Sequence, residues 1–325
     1  MIRIGMLSKW HVHAQDYANQ VKDSGKAVIT AVWDDNADRG QAWAAELGVD
    51  FEADLDAFLS REDIDAVICD TATVDHLTVL TKAAKAGKHI FTEKVLATTV
   101  EDCLAIAEAV RENNVKFAIS FPQLTFPDIQ VARQLVRENK LGEITNFRMR
   151  NAHAGLIQGW LPEYWMREEE AGGGALMDLG AHPVYLANML LGEPERVSAC
   201  MSAFIVGTTD EAATVLVEYD NGRAAVLETS LISWNSPRLV ELYGTEGSFI
   251  SLNDDVKINL KEDDNSEYKQ VDLPERETMP LIHFLNACAG ESEVPEEFGL
   301  EAAIKLTKVV VAAYKSVQTG TFVEL

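Results

Sequence analysis

DAVICDTATVDHLTVLTKAAKAGKHIFTEKV, residues 65–95, is the stretch on which the fold is read. It opens on a β-rich apolar run, DAVICDTA (65–72), passes into a helical pattern from His76 to Ala86, and returns to a second β-rich run, HIFTEKV (89–95). Gly87 stands where a helix C-terminus needs a residue that tolerates left-handed backbone. Strand, helix and strand within about thirty residues is the spacing of a right-handed crossover between parallel neighbours.

The same unit recurs on both sides. IRIGML (2–7) precedes a helix from about Ala14, and AVITAVWD (27–34) precedes a helix through Arg39 to Leu47. A helix over 99–113, ended by Glu112-Asn113-Asn114, leads to KFAISF (116–121). The expectation is an α/β domain over residues 1–121 with a doubly wound parallel sheet. After Pro122 the pattern changes to one helix (128–139), Gly142, and strand-like runs at 144–151, 196–206, 212–219, 223–231, 238–243 and 248–252. Asp220-Asn221-Gly222 reads as a hairpin turn, because Asn-Gly supplies positive φ. A second hairpin tip is expected at 262–265, and an amphipathic helix over 299–318 closes the chain. Residues 122–325 therefore read as an α+β domain on a largely antiparallel sheet.

At 325 residues, two domains are the natural division. The balance of 28 Lys+Arg against 52 Asp+Glu gives a formal charge of −24, which repels polyanions and anionic membrane surfaces. Nucleic acid is not an expected partner. A dinucleotide remains compatible, since backbone N–H groups at a helix start hold its pyrophosphate. Cys69, Cys103, Cys200 and Cys288 lie far apart without C-x-x-C spacing or paired histidines, so no disulfide framework and no metal site are expected. No apolar run approaches the ~18 residues of a membrane span, and MIRIGML runs straight into folded-looking sequence. The expected location is cytoplasmic.

The turn after the first strand is where a dinucleotide-binding chain places G-x-G-x-x-G. Here it reads Gly5-Met6-Leu7-Ser8-Lys9-Trp10, with only the first glycine and with His11 and His13 following. Gly5, Leu7, Ser8, Trp10 and His11 are the cofactor-contact candidates, although a strand-to-helix turn without a ligand has the same sequence. Asp34 and Asp35 end the second strand, where an acidic residue meets the adenosine ribose diol. A carboxylate there opposes a 2′-phosphate by about one to a few kcal/mol, which favours NAD over NADP. The same residues also read as an Asp-Asp-Asn turn. Thr71, Ala72, Thr73, His76, Glu93 and Lys94 lie at the carboxyl ends of later strands, the edge where open α/β sheets bind ligands. Lys94 suits a nicotinamide and a substrate hydroxyl, or simply pairs with Glu93. Beyond the glycine run 172–174, Asp178 and His182 are spaced i, i+4, which places both on one face of a helix.

These segments bring a resemblance. Val67 to Lys94, with His76, Gly87-Lys88-His89 and Glu93-Lys94, is similar to the glucose-fructose oxidoreductase and inositol dehydrogenase (Gfo/Idh/MocA) family. So are Gly172-Gly173-Gly174 with Asp178-x-Gly180-x-His182, and Tyr243-Gly244-Thr245-Glu246-Gly247. The resemblance extends over essentially the whole chain. It implies a Rossmann domain, a second α+β domain whose open sheet forms homo-oligomer contacts (a dimer or tetramer), and hydride transfer between a nicotinamide cofactor and a sugar, cyclitol or related polyol. The lysine of the family's E-K-P motif falls on Lys94, its catalytic histidine on His182 and the neighbouring acid on Asp178. Tyr185, Gln123 and Trp165 are the substrate-contact candidates. Two departures stand out: Val95 replaces the proline, removing the usual support for a cis peptide, and Tyr185 stands where an acidic residue is common. Two alternatives share these residues, a non-catalytic dinucleotide or sugar sensor and a lyase or epimerase using transient oxidation.

Overall fold

The computed structural model describes residues 1–263 and 267–325. The chain divides into two compact units, Met1–Ser120 with Thr278–Thr307, and Phe121–Glu277 with Lys308–Leu325.

The first unit begins β1 (Ile2–Leu7), α1 (Ala14–Ser24), β2 (Ala27–Trp33), α2 (Ala37–Leu47), β3 (Asp50–Phe51) and α3 (Leu55–Ser60). It continues β4 (Ala66–Cys69), α4 (His76–Lys85), β5 (His89–Thr92), α5 (Val100–Glu112) and β6 (Phe117–Ile119). The strands form one parallel sheet in the order β3-β2-β1-β4-β5-β6. That is the dinucleotide-fold order, with its reversal point between β1 and β4. Every residue of β4 is buried, as a strand covered by helices on both faces requires. Helix starts are fixed by Asn36, Asp54 and Thr99, whose side chains accept the N–H of Arg39, Ala57 and Asp102. Gly87 (φ 72°) and Asn114 (φ 51°) take the left-handed positions expected after α4 and α5.

In the second unit, α6 (Pro127–Arg137) precedes β7 (Ile144–Ala152), and the one-turn helices α7 (Gly155–Gln158), α8 (Glu168–Ala171) and α9 (Ala175–Asp178) lead to α10 (Ala181–Leu191). Then come β8 (Pro194–Ser202), β9 (Ala212–Tyr219), β10 (Ala224–Ser230), β11 (Leu239–Gly244), β12 (Gly247–Leu252), β13 (Asp255–Leu260) and β14 (Lys269–Gln270). With the terminal β15 (Val323–Glu324) these strands form a nine-stranded sheet, order β14-β13-β12-β11-β7-β10-β9-β8-β15. Among the described residues only β7 and β10 pair parallel in this sheet. One face carries Phe147, Met149, Val215, Val217, Leu227 and Leu242 into the core. The other carries polar residues such as Arg148, ion-paired with Glu228 at 2.9 Å. The turn at 220–222 has φ 59° at Asn221 and 75° at Gly222. The hairpin tip expected at 262–265 falls partly outside the described residues.

Two expectations change here. The strand expected over 196–206 ends at Ser202, because the backbone N–H groups of Phe204, Ile205, Val206 and Gly207 all turn onto the buried Glu211 carboxylate. A boundary at 121/122 also assigns the return segment 278–307 to the second domain, whereas it packs with the first unit. Its helix α11 (Pro280–Cys288) brings Phe284 to Phe91 with ring centroids 5.9 Å apart, and Lys26 Nζ donates to Asn286 Oδ1 at 2.6 Å. The closing helix is α12 (Leu300–Thr319). Among the described residues no helix is long and apolar enough to cross a membrane.

Candidate active site

The turn after β1 is built differently from a glycine-rich loop. Gly5 is a packing residue, since a Cβ on it would lie 2.5 Å from Phe58 Cζ. The side chains of Leu7 and Trp10 are buried. Ser8 takes the positive φ (72°) for which such loops use glycine. The amides from Ser8 to His11 have partners within the unit: Trp33 O at 2.6 Å, Asp34 Oδ2 at 2.8 Å, Ser8 Oγ at 3.1 Å and Asp70 O at 3.0 Å.

Asp34 is turned inward. Its carboxylate, fully buried, accepts from the N–H groups of Lys9 (2.8 Å) and Asn36 (2.9 Å) and from Arg39. It fixes the loop, and the neighbouring Asp35 is the acid on display, half-exposed and 2.7 Å from Arg39 Nη2. Burial, against Arg39 and with Asp34 adding to it, raises the Asp35 carboxyl above its ordinary range. Arg39 carried no sequence signal beyond a helix surface position.

At the carboxyl edge of β4 and β5, Thr71, Ala72 and Thr73 form a buried turn into α4. His76 is buried, and its Nδ1–H donates to Leu96 O at 3.1 Å, tying the start of α4 to the segment that carries Lys94. Burial lowers the His76 pKa, the bond to Leu96 opposing it. The folded state thus leaves this ring neutral while the unfolded chain protonates it below about pH 6.5. Stability is complete above that pH and falls as pH drops through it, by at most about 1.4 kcal/mol per pH unit for this group. Urea midpoints at pH 7.5 and 5.5 check this; the acid loss is expected to be smaller in His76→Gln.

Glu93, also buried, accepts from His13 Nδ1–H at 2.8 Å, from the Tyr17 hydroxyl and from the Lys94 N–H at 3.0 Å. Burial alone would raise its pKa, but His11, His13 and Lys94 together hold it well below the usual carboxylate range. Lys94 is itself buried, and its peptide bond to Val95 is cis. Tyr17, which also bonds Ser120 Oγ at 2.7 Å, and Asp70 are members of this edge that periodicity assigned only to helix and strand.

In the second unit the chain does not run as one helix through Asp178 and His182. Pro183 has no N–H for the Leu179 carbonyl, which instead takes the N–H of His182 at 3.2 Å and Asn151 Nδ2 at 3.3 Å, and α9 stops at Asp178. Asp178 Oδ2 accepts from Trp165 Nε1 at 3.0 Å. His182 Nδ1 lies 2.8 Å from Tyr185 Oη, which also accepts the Gln123 N–H at 3.0 Å. The Tyr185 ring stacks on Phe121, centroids 4.3 Å apart. His182, Tyr185 and Gln123 therefore form one buried group and Asp178 and Trp165 a pair. The glycine run serves this arrangement by close backbone approach: a Cβ on Gly174 would sit 1.9 Å from Asp210 O. Asp210 Oδ1 and Oδ2 accept the N–H of Gly174 (2.9 Å) and Leu176 (2.7 Å), and Oδ1 the Tyr314 O–H (2.7 Å).

Two family profiles match this chain. The one described as an oxidoreductase family with NAD-binding Rossmann fold covers residues 4–121, and the GFO/IDH/MocA C-terminal domain covers residues 129–250. The chain belongs to the Gfo/Idh/MocA family. Among the relatives of this Gfo/Idh/MocA chain, the 2,7-anhydro-N-acetylneuraminate hydratase of Escherichia coli (strain K12) is 30% identical over 81% of this chain and 68% of its own length. The scyllo-inositol 2-dehydrogenase (NAD(+)) of Bacillus subtilis (strain 168) is 28% identical over 100% of this chain and 95% of its own. A levoglucosan dehydrogenase solved with NADH and levoglucosan shares the fold, with a TM-score of 0.86 at 21% identity over 99% of both chains.

Proposed function

We propose that the chain is a dehydrogenase that moves a hydride between a nicotinamide cofactor, NAD in preference to NADP, and a CH–OH group of a sugar, cyclitol or related polyol. The observation that carries the reading is the His182–Tyr185 contact at 2.8 Å. It ties Nδ1 to the Tyr185 hydroxyl and orients the imidazole that exchanges a proton with substrate. The names of the relatives support the substrate class. The first unit fits a dinucleotide by its strand order and by the buried polar atoms without hydrogen-bond partners at the carboxyl end of β4, His76 Nε2 and both Asp70 oxygens. A bound nicotinamide supplies the hydride acceptor.

In the oxidising direction the His182 imidazole, oriented by Tyr185, takes the substrate hydroxyl proton. Lys94 stabilises the negative charge that develops on the substrate oxygen. Asp178, tied to Trp165, is the neighbouring acid. Of the remaining candidates, Trp165 holds Asp178, and Gln123 holds Tyr185 through its backbone N–H while its buried Oε1, without a partner, suits a substrate hydroxyl. Ser8 offers the pyrophosphate its hydroxyl and the Trp10 N–H that it now accepts. The reading includes a homo-oligomer.

Purified protein is expected to gain thermal stability with NAD and to change absorbance at 340 nm with a sugar or inositol; no stabilisation by either dinucleotide sinks the reading. Substrate consumption without net absorbance change selects instead a transient-oxidation reaction, the second reading, favoured by the hydratase name of the E. coli relative. Stabilisation without turnover of any substrate selects a sensor. Tyr185→Phe is expected to lower kcat about tenfold, the worth of one orienting hydrogen bond, and to move the pH–rate profile. Asp35→Asn removes a carboxylate that opposes a 2′-phosphate while Arg39 stays held by Asp34; the ratio of kcat/KM for NADP over NAD is expected to rise by about tenfold.

A further inference from the structure

We infer that His11, His13 and Glu93 bind a divalent cation of the zinc class at the carboxyl edge of the first sheet, beside the buried Asp70. One ligand atom from each of the three lies within 4.8 Å of the others. Glu93 Oε1 is 2.8 Å from His13 Nδ1 and 3.7 Å from His11 Nδ1. Ligands about 2.0–2.1 Å from a tetrahedral zinc ion stand about 3.3 Å from one another, so sub-ångström shifts complete the set. Two imidazoles and a carboxylate are a donor set that zinc takes with a position left open.

The protonation pattern suits an incoming cation. His11 Nδ1 accepts the N–H of His13 at 3.2 Å; on binding this hydrogen bond is given up and the same lone pair takes the ion. His13 Nδ1 gives its proton to Glu93; on binding, that proton moves to Nε2 of the same ring and the freed lone pair takes the ion. The His13 side chain is 38% exposed, which opens a path for the ion, whereas Glu93 and His11 are buried. Glu93 is held from the other sides by the Tyr17 hydroxyl and the Lys94 N–H.

Asp70 stands beside the cluster. It is fully buried, its carbonyl takes the His11 N–H at 3.0 Å, and neither carboxylate oxygen has a hydrogen-bond partner among the described residues. Burial without partners penalises the charged form of this carboxyl, and a second carboxylate, Glu93, adds to that penalty. A dication in the adjacent cluster compensates both. The expectation of no metal site followed from spacing; the third ligand is 80 residues from the nearer histidine, and only the sheet brings it there.

The test needs no dinucleotide, so its failure and that of the dehydrogenase reading are separate results. Untagged, chelator-treated protein is titrated with Co2+ and followed by visible absorption. The expected result is one Co2+ per chain with intense low-coordinate d–d bands, displaced by Zn2+. His13→Gln, at a half-exposed position that keeps the fold, is expected to weaken binding by about a hundredfold or more, and Asp70→Asn by about tenfold. A pale octahedral spectrum in the parent protein, or unchanged bands in His13→Gln, overturns the inference.

Discussion

Lys94→Ala is expected to lower kcat by about 10²- to 10³-fold, the usual effect of removing one group that stabilises a developing oxyanion. Lys94 is 5% exposed, so its ammonium acts in a medium of low polarity where each charge interaction is stronger than in water. The Glu93 carboxylate accepts the Lys94 N–H and fixes the backbone at that residue. The dinucleotide dissociation constant is expected to change by no more than about threefold, because a transition-state contact contributes little to ground-state binding. Lys94→Arg is not expected to restore the rate, since a planar guanidinium does not replace a compact ammonium. Steady-state kinetics and dinucleotide fluorescence titration together decide the matter. A loss of less than tenfold in kcat removes Lys94 from the chemistry.

The second large effect is on stability. Gly174→Ala would set a methyl carbon 1.9 Å from the Asp210 carbonyl oxygen, a backbone atom that cannot rotate away. Relief requires the segment before α9 to leave Asp210, giving up the Gly174 and Leu176 N–H bonds to its carboxylate. Overpacking of this kind costs about 1–3 kcal/mol, and lost hydrogen bonds to a buried charged group add about 1.5–3 kcal/mol. A fall in Tm of roughly 6–15 °C is expected for a unit of this size. Activity is expected to fall with it, since α9 carries Asp178. Gly172→Ala is a different case: it meets the cost of a positive φ (75°), and its Tm is expected to fall by only about 2–4 °C. Thermal unfolding of the two variants side by side checks the ranking.

Much of the first unit was legible because its signals are local. Alternating apolar runs and helix-ending Gly87 and Asn114 act within a few residues, and their backbone angles agree with the reading. The Asn221-Gly222 turn was legible for the same reason. β3 is two residues long and carries no periodicity, and α11 is apolar on most of its surface, so neither announces itself. Among the candidate site residues, Lys94, Asp178 and His182 were singled out by position and spacing, but their hydrogen-bond partners were not. The i, i+4 spacing pointed to an Asp178–His182 pair on one helix, whereas Pro183 interrupts the helix and Tyr185 takes His182 Nδ1. The glycines of 172–174 carry a contact with Asp210, a residue 36 positions on from Gly174, which no local pattern records.

The return of residues 278–307 to the first unit bears on how the chain is made. A ribosome delivers β1 to β6 early, yet the apolar side of β5 and β6 waits for Phe284 and its helix. N-terminal domains commonly fold while the remainder is still being synthesised, at about 5–20 residues per second. Here the nascent first unit stays open at that seam until residues 278–307 have been made. A fragment released at residue 121 therefore exposes an unfilled apolar surface and is a natural client for chaperones.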